Sequence, residues 1–228
     1  MESLRRPVVY RGVTYTEYEM DFYTSNVYSM RFDGRIMKPT RNRDGYLYFF
    51  MRVEGRRIVT QQHQLLVETF PDLISKSPVV SHYGLQRGQD RHELKTPMGF
   101  TFICNMICPD HIDSNRVNNH HSNLMIVTQF ENIIKCEARK GRKYKGITKR
   151  PHKRYSARIA WVTILDKNGK PFCVSKNFKT EEEAALAYNT MLEESLLTIF
   201  GLDLGPKLYD LAYKNEVPTP VQQQLILK

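Results

Sequence analysis

Asp110 and His111 are adjacent in the chain, and together they carry the side chains that hydrolysis of a phosphodiester demands. That reaction needs a base to take a proton from water and a cation to stabilise charge on the phosphate and the leaving oxygen. A carboxylate is a hard oxygen donor suited to Mg2+, which keeps several waters and is held through one or two protein carboxylates. An imidazole has the intrinsic pKa of a base that works near neutral pH. Downstream, Asn123 and Asn132 supply amide oxygens. An asparagine oxygen fixed by its surroundings can accept one ring N–H of a histidine and so select its tautomer. Spacing alone does not bring these side chains together. Taken singly, Asn123 is a strand-edge turn residue and Asn132 a solvated helix position.

The residues between them extend the pattern: Asp110-His111, then Asn118-Asn119, Asn123-Leu124, Val127-Thr128 and Asn132. At these spacings the segment 110–132 resembles the core of H-N-H homing endonucleases, in the phage and intron-encoded branch with Asn in place of the last His. The resemblance implies a strand–strand–helix (ββα-metal) fold around one divalent cation, Mg2+ or another such as Mn2+. It assigns Asp110 and Asn132 as metal ligands, His111 as general base and Asn123 as the residue that orients His111. It also implies cutting of double-stranded DNA, one strand per nuclease centre. Upstream, Tyr18–Phe70, with Gly45-Tyr46-Leu47 and the run from His63 to Phe70, resembles the module that precedes this core in the family. There a dozen or so residues lead from the helix to the Asp-His strand, whereas here 71–109 intervene. His63 reads as structural.

The elements that must position these residues follow from periodicity and turn signals. Residues 1–58 are β-rich, above all Tyr46–Val53 after the turn signal Arg43-Asp44-Gly45. Thr60 is expected to cap a helix over 61–70 whose Leu65, Leu66 and Phe70 share a face, with Pro71 closing it. Residues 71–98 are polar and read as an insertion or long loop. Residues 99–104 and 123–128 read as strands. Thr128 and Glu131 form a capping-box pattern that opens a helix to about Arg139. Strands are expected over 146–149, 155–165 and 171–178, with Asp166–Gly169 as the hairpin turn between the last two. Thr180 and Glu183 form a second capping box, ahead of a helix with Ala184, Ala185, Tyr188, Met191 and Leu192 on one face. After Gly201 the chain is mixed, and Val217–Pro220 reads as a loose end.

Lys and Arg number 34 against 24 Asp and Glu, a net charge of +10, which favours a polyanionic partner. The excess is concentrated: ten Lys and Arg and no acidic residue lie between Arg139 and Arg158. Residues 144–200 resemble the DNA-binding domain of the plant ethylene-response-factor (Apetala) family. The matching residues are Tyr144-Lys145-Gly146-Ile147, Lys149-Arg150, Tyr155, Ala157, Ile159, Phe178 and the run Thr180–Tyr188. That family lays a three-stranded antiparallel sheet, backed by one helix, into the major groove. The groove admits a β-ribbon and shows a distinct pattern for each base pair. The matched positions make Lys145, Lys149, Arg150, Arg154, Tyr155 and Arg158 the contact candidates. Where the plant members carry two tryptophans this chain has His152 and Tyr155, so the target sequence does not transfer.

Cys104, Cys108 and Cys136, with His120 or His121, contain zinc-ligand types, but their spacing matches no familiar ribbon or finger and no structural Zn2+ is expected. No apolar run reaches the eighteen or so residues of a membrane span, and the first residues lack the apolar core of a secretory signal. An intracellular, cytoplasmic protein is expected. The fold class is therefore α+β. The expected organisation is a β-rich module ending in a helix (1–70), an insertion (71–98), a nuclease core (99–138), a sheet-plus-helix DNA reader (144–200) and a tail (201–228). The expected function is a metal-dependent DNA endonuclease. The alternative is a sequence-specific regulator with an inactive core.

Overall fold

Strand-forming residues dominate the N-terminal half and short helices punctuate it, giving an α+β fold. The computed structural model describes residues 3–88, 91–152 and 154–218. In chain order the elements are β1 (Arg5–Tyr10), β2 (Val13–Asp21), β3 (Val27–Ser29), β4 (Arg35–Ile36), β5 (Thr40–Arg41), β6 (Leu47–Val53) and β7 (Arg56–Gln61), then helix α1 (Gln62–Thr69). Next come β8 (Ser75–Lys76), α2 (Pro78–His82), β9 (His92–Lys95), β10 (Thr101–Cys104), β11 (Ile107–His111), β12 (Leu124–Thr128) and α3 (Gln129–Lys135). The chain continues through β13 (Ile147–Arg150), β14 (Arg154–Leu165) and β15 (Pro171–Phe178) to α4 (Glu181–Leu211). Over the described residues the chain divides into two units, one within Met1–Gln89 and Met106–Thr128, the other within Asp90–Asn105 and Gln129–Lys228.

The first unit holds three small sheets, ordered β1-β2-β3-β4, β5-β6-β7 and β11-β12-β8. Helix α1 sits among them and is buried on nearly every side: Gln62, His63, Leu65, Leu66, Val67 and Thr69 are all inaccessible. Its apolar side chains join Met20, Phe49, Met51, Phe70 and Leu124 in one core. The helix starts one residue later than expected, and Thr60 does not cap it. Thr60 belongs to β7, Gln61 is the cap residue and makes no side-chain cap bond.

Residues 71–98 are not a loop throughout. Ser75–Lys76 runs parallel to β12, Ser77 caps α2 through the Val80 N–H, and Ile74, Val79, Val80 and Leu85 are buried. These four side chains supply apolar surface to the core, and burial of such surface is what fixes short elements that have little intrinsic propensity of their own.

The second unit is built on β14, twelve residues long. On one edge it pairs with β15; on the other, β13 takes one end and β10, extended by β9, the opposite end. The sheet therefore gains a β9–β10 hairpin from a segment that precedes the Asp-His pair in sequence. The Asp166–Gly169 turn is formed as expected, with the Gly169 N–H donating to the Asp166 carbonyl and Gly169 at φ 74°.

The Thr180–Glu183 capping box is present in both directions at the start of α4. Ala184, Ala185, Tyr188, Met191 and Leu192 are buried together with Ala157, Ile159 and Trp161 of β14. Gly146 lies where a Cβ would meet the Tyr188 ring at 2.1 Å, so only glycine allows this approach. Helix α4 is interrupted at Gly201 (φ 73°, ψ −174°) and resumes to Leu211. The start of the expected tail is thus helical. Beyond it Asn215 exchanges two hydrogen bonds with the Lys145 backbone and two with Asn189. Residues 219–228, and with them part of the expected loose end, lie outside the described residues, as does Lys153 of the basic run. Among the described residues no helix is long and apolar enough to cross a membrane.

Candidate functional site

Strands β11 and β12 form an antiparallel hairpin in which Asp110 pairs with Met125 and His111 with Leu124. The β-branched Ile126, Val127 and Thr128 give β12 its strand character, and Leu124, Ile126 and Val127 are buried. Asp110 is half-buried near the end of β11, and His111 is buried at its last position. Asn123 closes a 3-10 turn just before β12. Asn132 is carried by α3, which follows β12 without an intervening residue and belongs to the second unit.

Asn119 meets His111. His111 Nε2 lies 2.8 Å from Asn119 Oδ1. The direction of this hydrogen bond is set by a closed ring of partners. The Ser25 carbonyl can only accept, so Gln62 Nε2 donates to it at 2.8 Å. Gln62 Oε1 then accepts from Asn119 Nδ2 at 2.9 Å. Asn119 Oδ1 is left as the acceptor, and His111 Nε2 must carry the proton it receives. Ser25 Oγ closes the ring by donating to the Asn119 carbonyl at 2.6 Å. In the neutral ring the other nitrogen, Nδ1, then holds the lone pair. All three side chains are buried, at 4–6% exposure, where a fully satisfied polar network is rigid.

Asn123, expected to orient His111, does something else. Its Nδ2 donates to Asp113 Oδ1 and to the Asn118 carbonyl, both at 2.8 Å, and its Oδ1 accepts from the Asp113 N–H at 3.1 Å. It fastens the loop between β11 and β12. Asn118 and the Asn115 N–H bond the same carboxylate, and these hydrogen bonds, led by the one from Asn118, hold the Asp113 carboxyl below the usual carboxylate range. Asn119 was visible in the sequence as half of an Asn-Asn pair. Gln62 carried no signal, because its partners come from residues 37 and 57 positions away.

His63 of α1 lies beside His111, ring centroids 4.9 Å apart and nearly perpendicular, with Tyr46 at 5.2 Å from His63 and 6.2 Å from His111. Its Nδ1 is buried without a hydrogen-bond partner. Burial, reinforced by the neighbouring His111 and Arg87, pulls its pKa down from 6.5 to about 3. His63 is therefore a neutral wall of the site at neutral pH. Because its folded pKa lies below its unfolded one, the unfolded chain binds more protons across this window. Stability is full above about pH 6.5 and falls with pH down to about 3, at up to about 1.4 kcal/mol per pH unit. Urea denaturation from pH 7 to 4 checks this: His63→Leu should flatten the acid decline, and an unchanged slope would assign that decline to other groups.

In the second unit, alternation along β14 puts Arg154, Arg158 and Ala160 on the face opposite the buried Ala157, Ile159 and Trp161. Arg150 stands directly across from Arg154. Lys149 is across from Tyr155, and these two fall on the α4 side, where they line a depression with Lys179, Thr180, Glu181 and Glu182. Of the six contact candidates, Arg150, Arg154 and Arg158 thus share one outer face, while Lys149 and Tyr155 do not. Lys145 is withdrawn altogether: its Nζ donates to the carbonyls of Ile133, Ile134 and Cys136 at 2.6–3.0 Å. It caps the C-terminal end of α3, where a cation is favoured, and burial lowers its pKa to about 8. That cap also accounts for α3 ending at Lys135 rather than near Arg139.

No disulfide joins the four cysteines, and among the described residues no group of three or more His, Cys, Asp or Glu side chains is arranged to hold a metal ion. Carboxylate and amide oxygens are the donor chemistry that Mg2+ accepts, with water filling the remaining positions.

No family model matches the chain. A solved structure of the HNH homing endonuclease I-HmuI, which addresses its DNA binding and cleavage, superposes on 86% of this chain and 91% of its own with a TM-score of 0.41 and 20% identity. A protein of Acanthamoeba polyphaga mimivirus, named as an uncharacterized HNH endonuclease, is 31% identical over 150 residues, covering 60% of this chain and 73% of the relative. With a third of the residues shared across nearly three quarters of that relative, the chain is an enzyme of the HNH endonuclease family.

Proposed function

We propose that this enzyme nicks duplex DNA by metal-dependent hydrolysis, with His111 as general base acting through Nδ1. The observation that carries this reading is the ring of hydrogen bonds through Ser25, Gln62 and Asn119, which leaves Nδ1 as the acceptor. A base must present a lone pair at a fixed position to take a proton from water. Asp110 and Asn132 would hold the divalent cation, Mg2+ or Mn2+, in keeping with their oxygen donors. When bound, that ion stabilises the charge that develops on the phosphate and the leaving oxygen. His111 takes the proton of the attacking water, Asn119 keeps its ring oriented, and neutral His63 adds no competing charge beside it. Asn123 supports the site through the loop that carries Asn118 and Asn119.

A base-orienting partner of this kind contributes about ten- to a hundredfold. Asn119→Ala should lower the nicking rate by that factor and by more than Asn123→Ala does, measured on supercoiled plasmid with folding checked by circular dichroism. The reverse order would return the orienting role to Asn123.

The outer face of β13 and β14 is the proposed DNA reader, in line with the resemblance of 144–200 to the ethylene-response-factor domain. Arginines directly opposite one another on a sheet repel, and an anionic partner relieves that repulsion between Arg150 and Arg154. Arg158 extends the same face. With three phosphate contacts, log K against log salt should slope near about −2.7. The deciding experiment incubates the pure protein with supercoiled plasmid, with Mg2+ and with EDTA, and titrates duplex binding at several salt concentrations. Nicking that persists in EDTA would remove the metal, and a flat salt response would remove the reader face.

A further inference from the structure

The first unit contains a groove of about 660 Å3 that no part of the mechanism uses. Strands β2, β3, β4, β6 and β7 and the turn Met30–Phe32 all contribute to it. Four cations line it, Arg35, Lys38, Arg52 and Arg57, and no carboxylate does. Between them lie apolar side chains that folding has left open: Phe32 is 68% exposed, Ile36 51% and Phe50 41%. The Arg57 guanidinium sits 4.4 Å above the Phe50 ring. Ser29, 5% exposed, also lines the groove, and its Oγ is buried without a hydrogen-bond partner. A buried hydroxyl left unpaired costs free energy.

We infer that this groove binds an unpaired stretch of a DNA strand, its phosphates against the arginines and its bases against Phe32 and Phe50. The inference rests on the reading of the enzyme as a DNA nuclease. An apolar ligand has no use for four cations, and a simple anion has no use for exposed phenylalanines. A nucleotide has both parts, and the groove volume falls within the roughly 300–1,000 Å3 of small-ligand sites. Duplex DNA does not meet the description, because the faces of its bases are already stacked on one another. Basic grooves studded with aromatic rings are how proteins hold single strands.

The test uses the full chain and a fluorescein-labelled twelve-residue oligo-dT, followed by anisotropy, beside a blunt duplex of equal length. Phe32 has little buried surface to lose, so Phe32→Ala should fold normally. It should weaken oligo-dT binding by roughly five- to a hundredfold, the loss of one stacked base. Arg35→Ala should weaken it further and lower the salt dependence. Duplex affinity and the plasmid nicking rate at saturating protein should stay at the wild-type level in both. The inference is overturned if the wild-type protein does not bind oligo-dT, if Phe32→Ala binds it as tightly as wild type, or if duplex binding falls in parallel. Self-association of the wild type that Phe32→Ala abolishes, with oligo-dT affinity unchanged, would assign the groove to a second copy of the chain instead. Failure of the nuclease reading looks different: the wild-type protein then neither nicks plasmid nor binds duplex.

Discussion

His111→Ala is expected to lower the rate of plasmid nicking by about a hundredfold or more, the scale on which a positioned base contributes, while duplex affinity should stay near the wild-type level. His111 is 4% exposed, so its truncation also leaves a cavity and an unpaired Asn119 oxygen, and loss of fold could imitate loss of chemistry. His111→Gln separates the two. Glutamine keeps an N–H for Asn119 Oδ1 and fills most of the volume, yet its amide nitrogen has no basic lone pair. The expected result is a folded protein as inactive as His111→Ala. Wild-type rates in the glutamine variant would show that a hydrogen-bonding side chain suffices here, and the proton would then need another acceptor. Single-turnover nicking, with thermal unfolding measured in parallel, distinguishes these outcomes.

Asn132→Leu is expected to abolish metal-supported cleavage, as EDTA should for the wild type. Asn132 lies in α3, half-buried, with its backbone carbonyl accepting from the Cys136 N–H. Leucine is of similar size and a better helix former, so the helix should persist and only the amide oxygen be lost. With Asp110 alone, a divalent cation keeps one protein ligand, and activity should not return at raised Mg2+. Nicking at wild-type rate by a folded Asn132→Leu protein would take Asn132 out of the site. Recovery at high Mg2+ would keep it there as an auxiliary ligand. Rate against Mg2+ concentration for both proteins gives the answer.

The legible parts of the chain were those in which local pattern and tertiary role coincide. The strands expected over 155–165 and 171–178, their Asp166–Gly169 turn and the Thr180–Glu183 cap are present within a residue or two, because turn and cap chemistry act over four residues. The Asp110–Asn132 pattern pointed to the β11–β12 hairpin through its resemblance to the H-N-H core. Segments 71–98 and 201–218 were misread because their elements are held by contacts with distant residues: Ser75–Lys76 by β12, and Asn215 by Lys145 and Asn189.

Side-chain roles divided along the same line. Sequence could name Asp110, His111, Asn123 and Asn132 as residues able to do phosphodiester chemistry, since that depends on functional groups. It could not say which asparagine meets the imidazole, because a shift of four residues exchanges Asn119 for Asn123 and either fits the spacing. Nor could it tell that Lys145 points into the protein while Arg150, Arg154 and Arg158 point out of it. A charge run is read as a composition, whereas each charge is placed by strand alternation and by the carbonyls within its reach. Identity and reaction class were therefore determined by the sequence. The tautomer of His111 and the choice of exposed arginines were decided by tertiary contacts, because hydrogen-bond direction and strand face are set by partners far away in the chain.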